Sequence, residues 1–182
     1  EAAATYRAFS DAQASGNAAE IEMHRTEMRR AIESSRGTLD RWWFARYSQQ
    51  SGESKIDRYL DVHRPFHWPV EFPEVFRKGG FDVVIGNPPY VRRGAVDYHY
   101  SGFVTDAAPD IYAPCFERSS QLTTPDGRLA LIVPISSQFA DGFKRLRDFV
   151  AARFGSVWVS TFERAPDSLF GSEVGVRSSI WI

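Results

Sequence analysis

The stretch that decides the fold is Phe81-Asp82-Val83-Val84-Ile85-Gly86-Asn87-Pro88-Pro89-Tyr90. Its first half is a short apolar run rich in β-branched residues, which is typical of a buried β-strand. The two consecutive prolines that follow cannot continue a strand, because proline lacks the N–H group that a sheet needs. We therefore predict a strand over residues 81–86 that ends in a rigid corner at residues 87–90.

The chain beyond this corner alternates between helical and extended patterns. We predict helices over residues 109–122 and 141–153, and strands over residues 128–134, 157–162 and 176–182. Near-continuous apolar runs such as Leu129-Ala130-Leu131-Ile132-Val133 indicate strands covered on both faces, as in a parallel sheet between helices. The expected fold class is therefore α/β.

The N-terminal part of the chain is polar and helical in pattern. Asn17 and Glu20 have the spacing of a helix capping box, and the helix that they start is expected to end near Arg36, before Gly37. Residues 66–76 are interrupted by prolines and predict an extended connector rather than a long helix. We expect a helical segment over residues 1–62 and a second domain over residues 63–182.

Composition limits the class of protein. With 182 residues and a formal net charge of −1, the chain can bury one core but has no overall basic character. The single cysteine, Cys115, excludes a disulfide framework, and no apolar run is long enough for a signal peptide or a membrane span. We expect a reducing, cytoplasmic setting. Because the chain starts at Glu1 and stops at Ile182 inside a predicted strand, we also expect it to be a piece of a longer protein.

The corner at residues 87–90 has the residue types needed to activate an amine. The exocyclic amine of a nucleobase is a poor nucleophile because its lone pair is delocalised into the ring. Accepting hydrogen bonds from both N–H groups localises that pair, and the side-chain oxygen of Asn87 and the backbone carbonyl of Pro88 can be the two acceptors. Tyr90 offers an aromatic face for a base that has left the duplex. The alternative is an ordinary turn, since Asn and Pro are turn residues.

Residues 81–91 resemble the fourth conserved motif of amino-methyltransferases that act on adenine. Residues 66–76, Asp110-Ile111-Tyr112 and residues 127–134 are similar to the large restriction–modification methyltransferases, including fused type IIG enzymes and phage-defence relatives. The resemblance covers roughly residues 63–182. It implies the second half of a Rossmann-like methyltransferase sheet, S-adenosylmethionine as methyl donor and a flipped adenine of double-stranded DNA as acceptor.

The resemblance also implies roles for individual residues. Asn87, Pro88 and Tyr90 match the catalytic positions, and Asn87 and Pro88 are expected to border the cofactor as well. Pro89 and Phe170 are candidate contacts to the flipped base, and the alternative for Phe170 is an apolar anchor of its loop. Apart from the resemblance, Arg92 and Arg93 are candidate phosphate contacts because they come just after the motif, and the alternative is that they are ordinary exposed loop arginines. No metal site is expected.

One part of the family pattern is missing from the sequence. A methyltransferase needs a glycine-rich loop after its first strand to approach the cofactor, and Gly79-Gly80, Gly171 and Gly175 do not fit that context. We expect the cofactor-binding half and a target-recognition domain to lie outside these residues. The isolated chain is therefore expected to be inactive.

Other functions stay open at this point. Amino-methyltransferases that act on RNA or on a protein glutamine use a similar motif, and a non-catalytic remnant would keep it too. A nuclease site at Glu53-Ser54-Lys55 and a zinc site at His63 and His67 are weaker alternatives, because neither has further ligands nearby in the sequence.

Overall fold

The computed structural model describes residues 2–96, 100, 102–163, 169 and 176–182. The chain forms two compact units, residues 1–78 and residues 79–182. The first is helical, and the second is a mixed α/β unit built on a four-stranded sheet.

The first unit begins with a helical hairpin of α1 (Ala2–Ser15) and α2 (Ala18–Ser51). The side chain of Asn17 accepts hydrogen bonds from the backbone N–H groups of Ala19 and Glu20, which confirms the predicted start of α2. The predicted end near Arg36 is wrong. A single glycine inside a helix costs only about 1 kcal/mol, so α2 continues through Gly37. It ends at Ser51, and the residue after it, Gly52, has the positive φ of a helix C-cap.

Three shorter helices complete the first unit: α3 (Ile56–His63), α4 (Trp68–Glu71) and α5 (Pro73–Arg77). Residues 66–76 thus contain no long helix, as predicted, but they are not an extended connector, because a proline opens the first turn of both α4 and α5. These helices contact α1 and α2, so the first unit extends to residue 78. In the described part of the chain no helix is long and apolar enough to cross a membrane.

The described residues of the second unit form four strands and two α-helices. In chain order they are β1 (Phe81–Gly86), α6 (Tyr112–Leu122), β2 (Thr123–Pro134), α7 (Lys144–Arg153), β3 (Val159–Phe162) and β4 (Ser178–Trp181). All six were predicted, β1 with the bounds that it has here and the other five with shifts at their ends. The strand order is β1-β2-β4-β3, in which β1 and β2 are parallel and β4 is antiparallel to both of its neighbours. The expected parallel sheet is therefore correct only for β1 and β2, because apolar runs indicate burial but not strand direction.

Gly80, the residue before β1, lies close to the junction between α6 and β2. Phe81 pairs with Thr123 and Val83 pairs with Arg128, so residues 124–127 bulge out of the ladder. Gly80 enters β1 with a φ of 129°, and a Cβ atom there would lie 2.5 Å from the carbonyl oxygen of Leu122. Only glycine fits this approach, and it fixes where β1 begins.

One face of the sheet packs against α6 and α7 around a single core. Its members include Tyr112, Phe116, Leu129, Leu131, Val133, Leu146, Val150 and Trp181. On β1, Val84 packs against this core, whereas Val83 and Ile85 point to the other face and are 54% and 77% exposed. The expected cover on both faces of β1 is absent from the described residues of this unit, where only the face that carries Val84 packs against the core.

Candidate active site

The corner at residues 87–90 lies at the carboxyl end of β1, as the sequence predicts. Gly86, the last residue of β1, pairs with Leu131 on the parallel strand β2. Four residues later the hydroxyl of Tyr90 donates a hydrogen bond of 3.1 Å to the carbonyl oxygen of Ile132. The corner is therefore anchored to β2 at both ends, and it opens at the edge where ligands bind in α/β sheets.

The four residues of the corner differ in exposure. Asn87 and Pro89 are exposed, whereas Pro88 and Tyr90 are half-buried. The amide of Asn87 is thus accessible from solvent, and its position is restrained because the prolines fix φ and force the residues before them into extended geometry. The arrangement presents a neutral, preorganised hydrogen-bonding group at the rim of the sheet.

Two backbone hydrogen bonds hold the segment that follows the corner. The backbone N–H of Ile111 donates to the carbonyl of Val91, and the N–H of Arg93 donates to the carbonyl of Pro109, both at 2.9 Å. Arg92 and Asp110 form the β-bridge between these bonds. The segment that leads into α6 is therefore fixed against the segment that leaves the corner.

Tyr90 is also packed by aromatic rings. Its ring lies edge-on to Tyr112, with centroids 6.2 Å apart, and Tyr112 stacks on Phe143 at 4.9 Å. Burial raises the pKa of the Tyr90 phenol, and a side-chain hydrogen bond with Ser178 acts in the opposite direction. The phenol therefore stays protonated near neutral pH and keeps its hydrogen bond to β2.

The two arginines after the corner have different partners. Arg92 forms an ion pair of 3.5 Å with Asp110, although its own side chain is 78% exposed. The guanidinium of Arg93 lies 6.0 Å from the centre of the Tyr100 ring. Both side chains are exposed at the same rim as Asn87, and both keep donors that can reach a phosphate.

Glu117 on α6, which no sequence pattern singles out, holds the loop that precedes α6. Its carboxylate is 4% exposed and accepts hydrogen bonds from the N–H groups of Val104 and Thr105 and from the Thr105 hydroxyl, at 2.9 to 3.1 Å. Glu117 thus ties the loop before α6 onto α6 itself. A glutamate inside a helix usually faces solvent, so the pattern of α6 carried no signal for this role.

The structure does not describe Phe170, and it gives the two histidines partners within the first unit. His63 packs against Tyr47 and Tyr59, and His67 lies 2.8 Å from Asp40, so both have structural partners within the first unit. Across the residues that the structure describes, no cluster of three or more His, Cys, Asp or Glu side chains could hold a metal ion.

One described cavity lies at the opposite end of the sheet from the corner. It has a volume of about 370 Å³ and is lined by residues 123–128 and 153–156 and by Trp158. These residues surround the amino-terminal end of β2. The corner itself is an exposed rim in the described structure, and Asn87 and Pro88 are the residues there that could border a bound cofactor.

Comparisons with known proteins identify the class to which the chain belongs, which is the restriction–modification methylases. Residues 16–162 match the family described as Eco57I restriction-modification methylase. This match covers more than half of the chain and includes the corner, β2 and both helices of the second unit. The chain therefore belongs to the Eco57I restriction-modification methylase family.

A curated relative supports this placement. A protein of Methanocaldococcus jannaschii, named as a type II restriction enzyme and methyltransferase, is 31% identical over 93 residues. The match covers 44% of this chain and 7% of the relative, so the chain corresponds to a small part of that protein's length. No solved structure matches the chain significantly.

Proposed function

We propose that this chain carries the catalytic corner of a site-specific DNA methyltransferase that methylates the N6 amine of a flipped adenine. The enzyme would act in restriction–modification or phage defence. The observation that carries the proposal is the exposed amide of Asn87 on a proline-locked corner at the carboxyl end of β1, in a chain of a restriction–modification methylase family.

The chemistry follows from the hydrogen-bonding groups of the corner. The side-chain oxygen of Asn87 and the backbone carbonyl of Pro88 accept hydrogen bonds from the two N–H groups of the adenine amine. These bonds localise the lone pair of the amine nitrogen. Neither acceptor is charged, so the amine is held without being protonated. The anchoring of Tyr90 to Ile132 supports this proposal, because a rigid corner reduces the cost of positioning the amine for transfer.

Contacts to the rest of the base and to DNA would come from neighbouring residues. The ring of Tyr90 stacks on the extruded base, with Pro89 and Phe170 as further base contacts. Arg92 and Arg93 contact phosphates beside the extruded nucleotide. Their exposure at the same rim as Asn87 supports this role.

S-adenosylmethionine would supply a methyl group on a positively charged sulfur. Asn87 and Pro88 would border the bound cofactor. We further propose that the larger part of the cofactor site, the remainder of a Rossmann-like sheet and a target-recognition domain come from sequence outside these residues. The exposed Val83 and Ile85 on the edge strand β1 support this, because they are the apolar surface that a further part of the fold would cover.

The decisive experiment compares Asn87→Ala with the unaltered protein in the methyltransferase that contains this chain. Transfer of a labelled methyl group to duplex DNA should be abolished, whereas duplex binding should persist because the phosphate contacts remain. Asn17→Ala, which removes only the cap of α2, is the matched control and should retain transfer. Retained turnover in Asn87→Ala would refute the function.

The same assay distinguishes the acceptor. Labelled product is measured with DNA, with RNA and with a glutamine-containing protein, and methylated nucleosides are identified after digestion. We expect N6-methyladenine from DNA alone. Methylation of RNA or of protein glutamine, with none on DNA, would replace the proposed acceptor.

Measurements of cofactor binding test the proposal that most of the cofactor site lies outside residues 1–182. Calorimetric titration with S-adenosylmethionine should give weak or no binding to residues 1–182 and clear binding to the longer protein. Equal affinity of the two would contradict the proposal that most of the cofactor site lies elsewhere.

A further inference from the structure

Two different contacts restrain the side chain of Tyr90. Its hydroxyl donates to the carbonyl oxygen of Ile132, and its ring lies at 78° to the ring of Tyr112, with centroids 6.2 Å apart. The phenol oxygen lies on the axis about which a tyrosine ring turns, and that torsion is broad. The hydrogen bond therefore fixes the end of the axis but hardly restrains rotation about it. A contact on the side of the ring must set the direction in which its faces point.

The ring of Tyr112 is itself firmly held. Tyr112 is fully buried, and its ring stacks on Phe143 with centroids 4.9 Å apart and an interplanar angle of 23°. Phe143 is the last residue of the β2–α7 loop, residues 135–143, and is also buried in the core. Tyr112 can therefore serve as a fixed wall for the ring that lies against it.

The backbone links Tyr112 to the corner as well. Ile111, the residue before it, donates a backbone hydrogen bond of 2.9 Å to the carbonyl of Val91, the residue after Tyr90. The two tyrosines thus follow and precede a pair of residues that are bonded to each other. Both the main chain and the ring of Tyr112 are fixed relative to Tyr90.

The direction of the Tyr90 faces matters for the proposed reaction. A base stacks on the face of an aromatic ring, and its amine must at the same time reach Asn87 and Pro88. If the Tyr90 ring turned about its axis, it would present its edge to the base and displace the amine. A misplacement of about 1 Å can lower the rate of a positioned reaction about 100-fold.

We propose that Tyr112 is a positioning residue for methyl transfer, which holds the plane of the Tyr90 ring so that one face is presented to the extruded base. This inference rests on the proposed function and adds to its site a residue that does not touch the base. Tyr112 acts through Tyr90, and the part of it that acts is the ring. A substitution that keeps the ring should therefore keep the function.

The first test compares Tyr112→Phe with Tyr112→Leu in the methyltransferase that contains this chain. Tyr112→Phe keeps both aromatic contacts and should retain kcat for methyl transfer to duplex DNA. Tyr112→Leu removes the ring and should lower kcat about 10- to 100-fold, with the Kd for duplex DNA unchanged because the phosphate contacts remain. Tyr112→Met, which fills the space with a flexible chain, should show the same loss and replaces the leucine variant if that variant does not fold.

Phe116→Leu is the matched control for lost core packing. Phe116 lies one turn further along α6, is as well buried as Tyr112, and packs against Phe154 and Trp181. Both leucine variants remove a buried ring from the same helix. At a temperature where both are folded, kcat should fall in Tyr112→Leu and stay near the unaltered value in Phe116→Leu.

A double-mutant cycle separates positioning from loss of structure. In a Tyr90→Ala background the ring that Tyr112 holds is absent, so Tyr112→Leu should cause no further fall in the residual single-turnover rate. A purely structural role would lower the rate by the same factor with and without the Tyr90 ring, and that result would overturn the proposal.

The outcomes also distinguish this inference from the proposed function. Equal kcat in Tyr112→Leu and Phe116→Leu, together with an inactive Asn87→Ala, would overturn the role of Tyr112 and leave the proposed function intact. An active Asn87→Ala would instead overturn the proposed function.

Discussion

The hydroxyl of Tyr90 donates a hydrogen bond of 3.1 Å to the carbonyl oxygen of Ile132 on the neighbouring strand. The two residues are 42 positions apart in the sequence, and their contact joins the end of the proline corner to β2. A residue of the candidate catalytic motif is therefore also part of the sheet's support. Changes at Tyr90 should affect stability and activity separately, according to which part of the side chain is removed.

Tyr90→Phe removes the hydroxyl and keeps the ring. The free energy of unfolding should fall by about 1 kcal/mol, the usual contribution of one hydrogen bond, while base stacking and most methyl transfer remain. Tyr90→Ala also removes the ring from its contact with Tyr112 and should abolish most transfer. Urea unfolding and methyl-transfer assays measure the two effects. Equal loss of transfer in both variants would show that the hydroxyl, not the ring, matters for the reaction.

The corner and its strand could be predicted from the sequence because they depend on local chemistry. A β-branched run specifies β1, and two prolines end it, whatever the rest of the chain does. The direction of β4 could not be predicted in the same way, since the side-chain pattern of a short strand is similar in parallel and antiparallel pairs. The predicted end of α2 was wrong for a related reason. Gly37 and Gly52 are the same residue type and both can stop a helix, but of the two only Gly52 adopts a positive φ.

The supports of the site could not be predicted because each one joins a helix to a loop that folds back onto it. Glu117 reaches back to Thr105, and Arg147 on α7 binds carbonyls of the β2–α7 loop. Each of these side chains lies on a helix, where a charged residue normally faces solvent. Their roles become visible only when the loops that they hold are placed beside them.

Arg93 should contribute to DNA binding through a phosphate contact. It has an aromatic neighbour in Tyr100, whereas Arg92 is paired with Asp110. Arg93→Ala should weaken binding to all duplex sequences and reduce the slope of log K against log salt by about 0.9, the value for one phosphate contact. Arg145→Ala, an exposed arginine on α7, is the control. Titrations between about 50 and 200 mM salt measure both, and an unchanged slope in Arg93→Ala would exclude the contact.

Glu117→Gln should destabilise the second unit. In the unaltered protein the donors of Val104 and Thr105 share the two oxygens of the carboxylate, whereas the neutral amide of the variant has only one acceptor oxygen. At least one of these hydrogen bonds is therefore weakened or lost. Because hydrogen bonds to a buried charged group contribute more than neutral ones, we expect a loss of about 2 kcal/mol. Urea denaturation measures the loss, and hydrogen exchange at the Thr105 amide should become faster.

A matched variant controls for the change of charge. Glu163 pairs with Arg177 at the surface, and both side chains are 57% exposed. Glu163→Gln should therefore change the free energy of unfolding by less than about 0.5 kcal/mol. If both variants lost the same amount, the hydrogen bonds of the Glu117 carboxylate would not be the cause.

Alkaline pH should destabilise the second unit through its buried tyrosines. Burial raises the pKa of both Tyr90 and Tyr112 above the ordinary value of 10.0. A phenol whose pKa is higher in the folded state than in the unfolded state stabilises the fold below pH 10, and that stability is lost as the pH rises through the folded pKa. Each such group changes the free energy of unfolding by up to about 1.4 kcal/mol per pH unit above pH 10.

Tyr112→Phe isolates the larger of these two effects. Tyr112 is fully buried in the core, and phenylalanine keeps the stack on Phe143 but cannot ionise. Urea denaturation of the variant and of the unaltered chain between pH 7 and about pH 11 should give parallel values up to pH 10 and a shallower decline for the variant above it. Identical declines would mean that Tyr112 releases its proton as readily in the folded chain as in the unfolded one, so that burial in this core does not disfavour the phenolate.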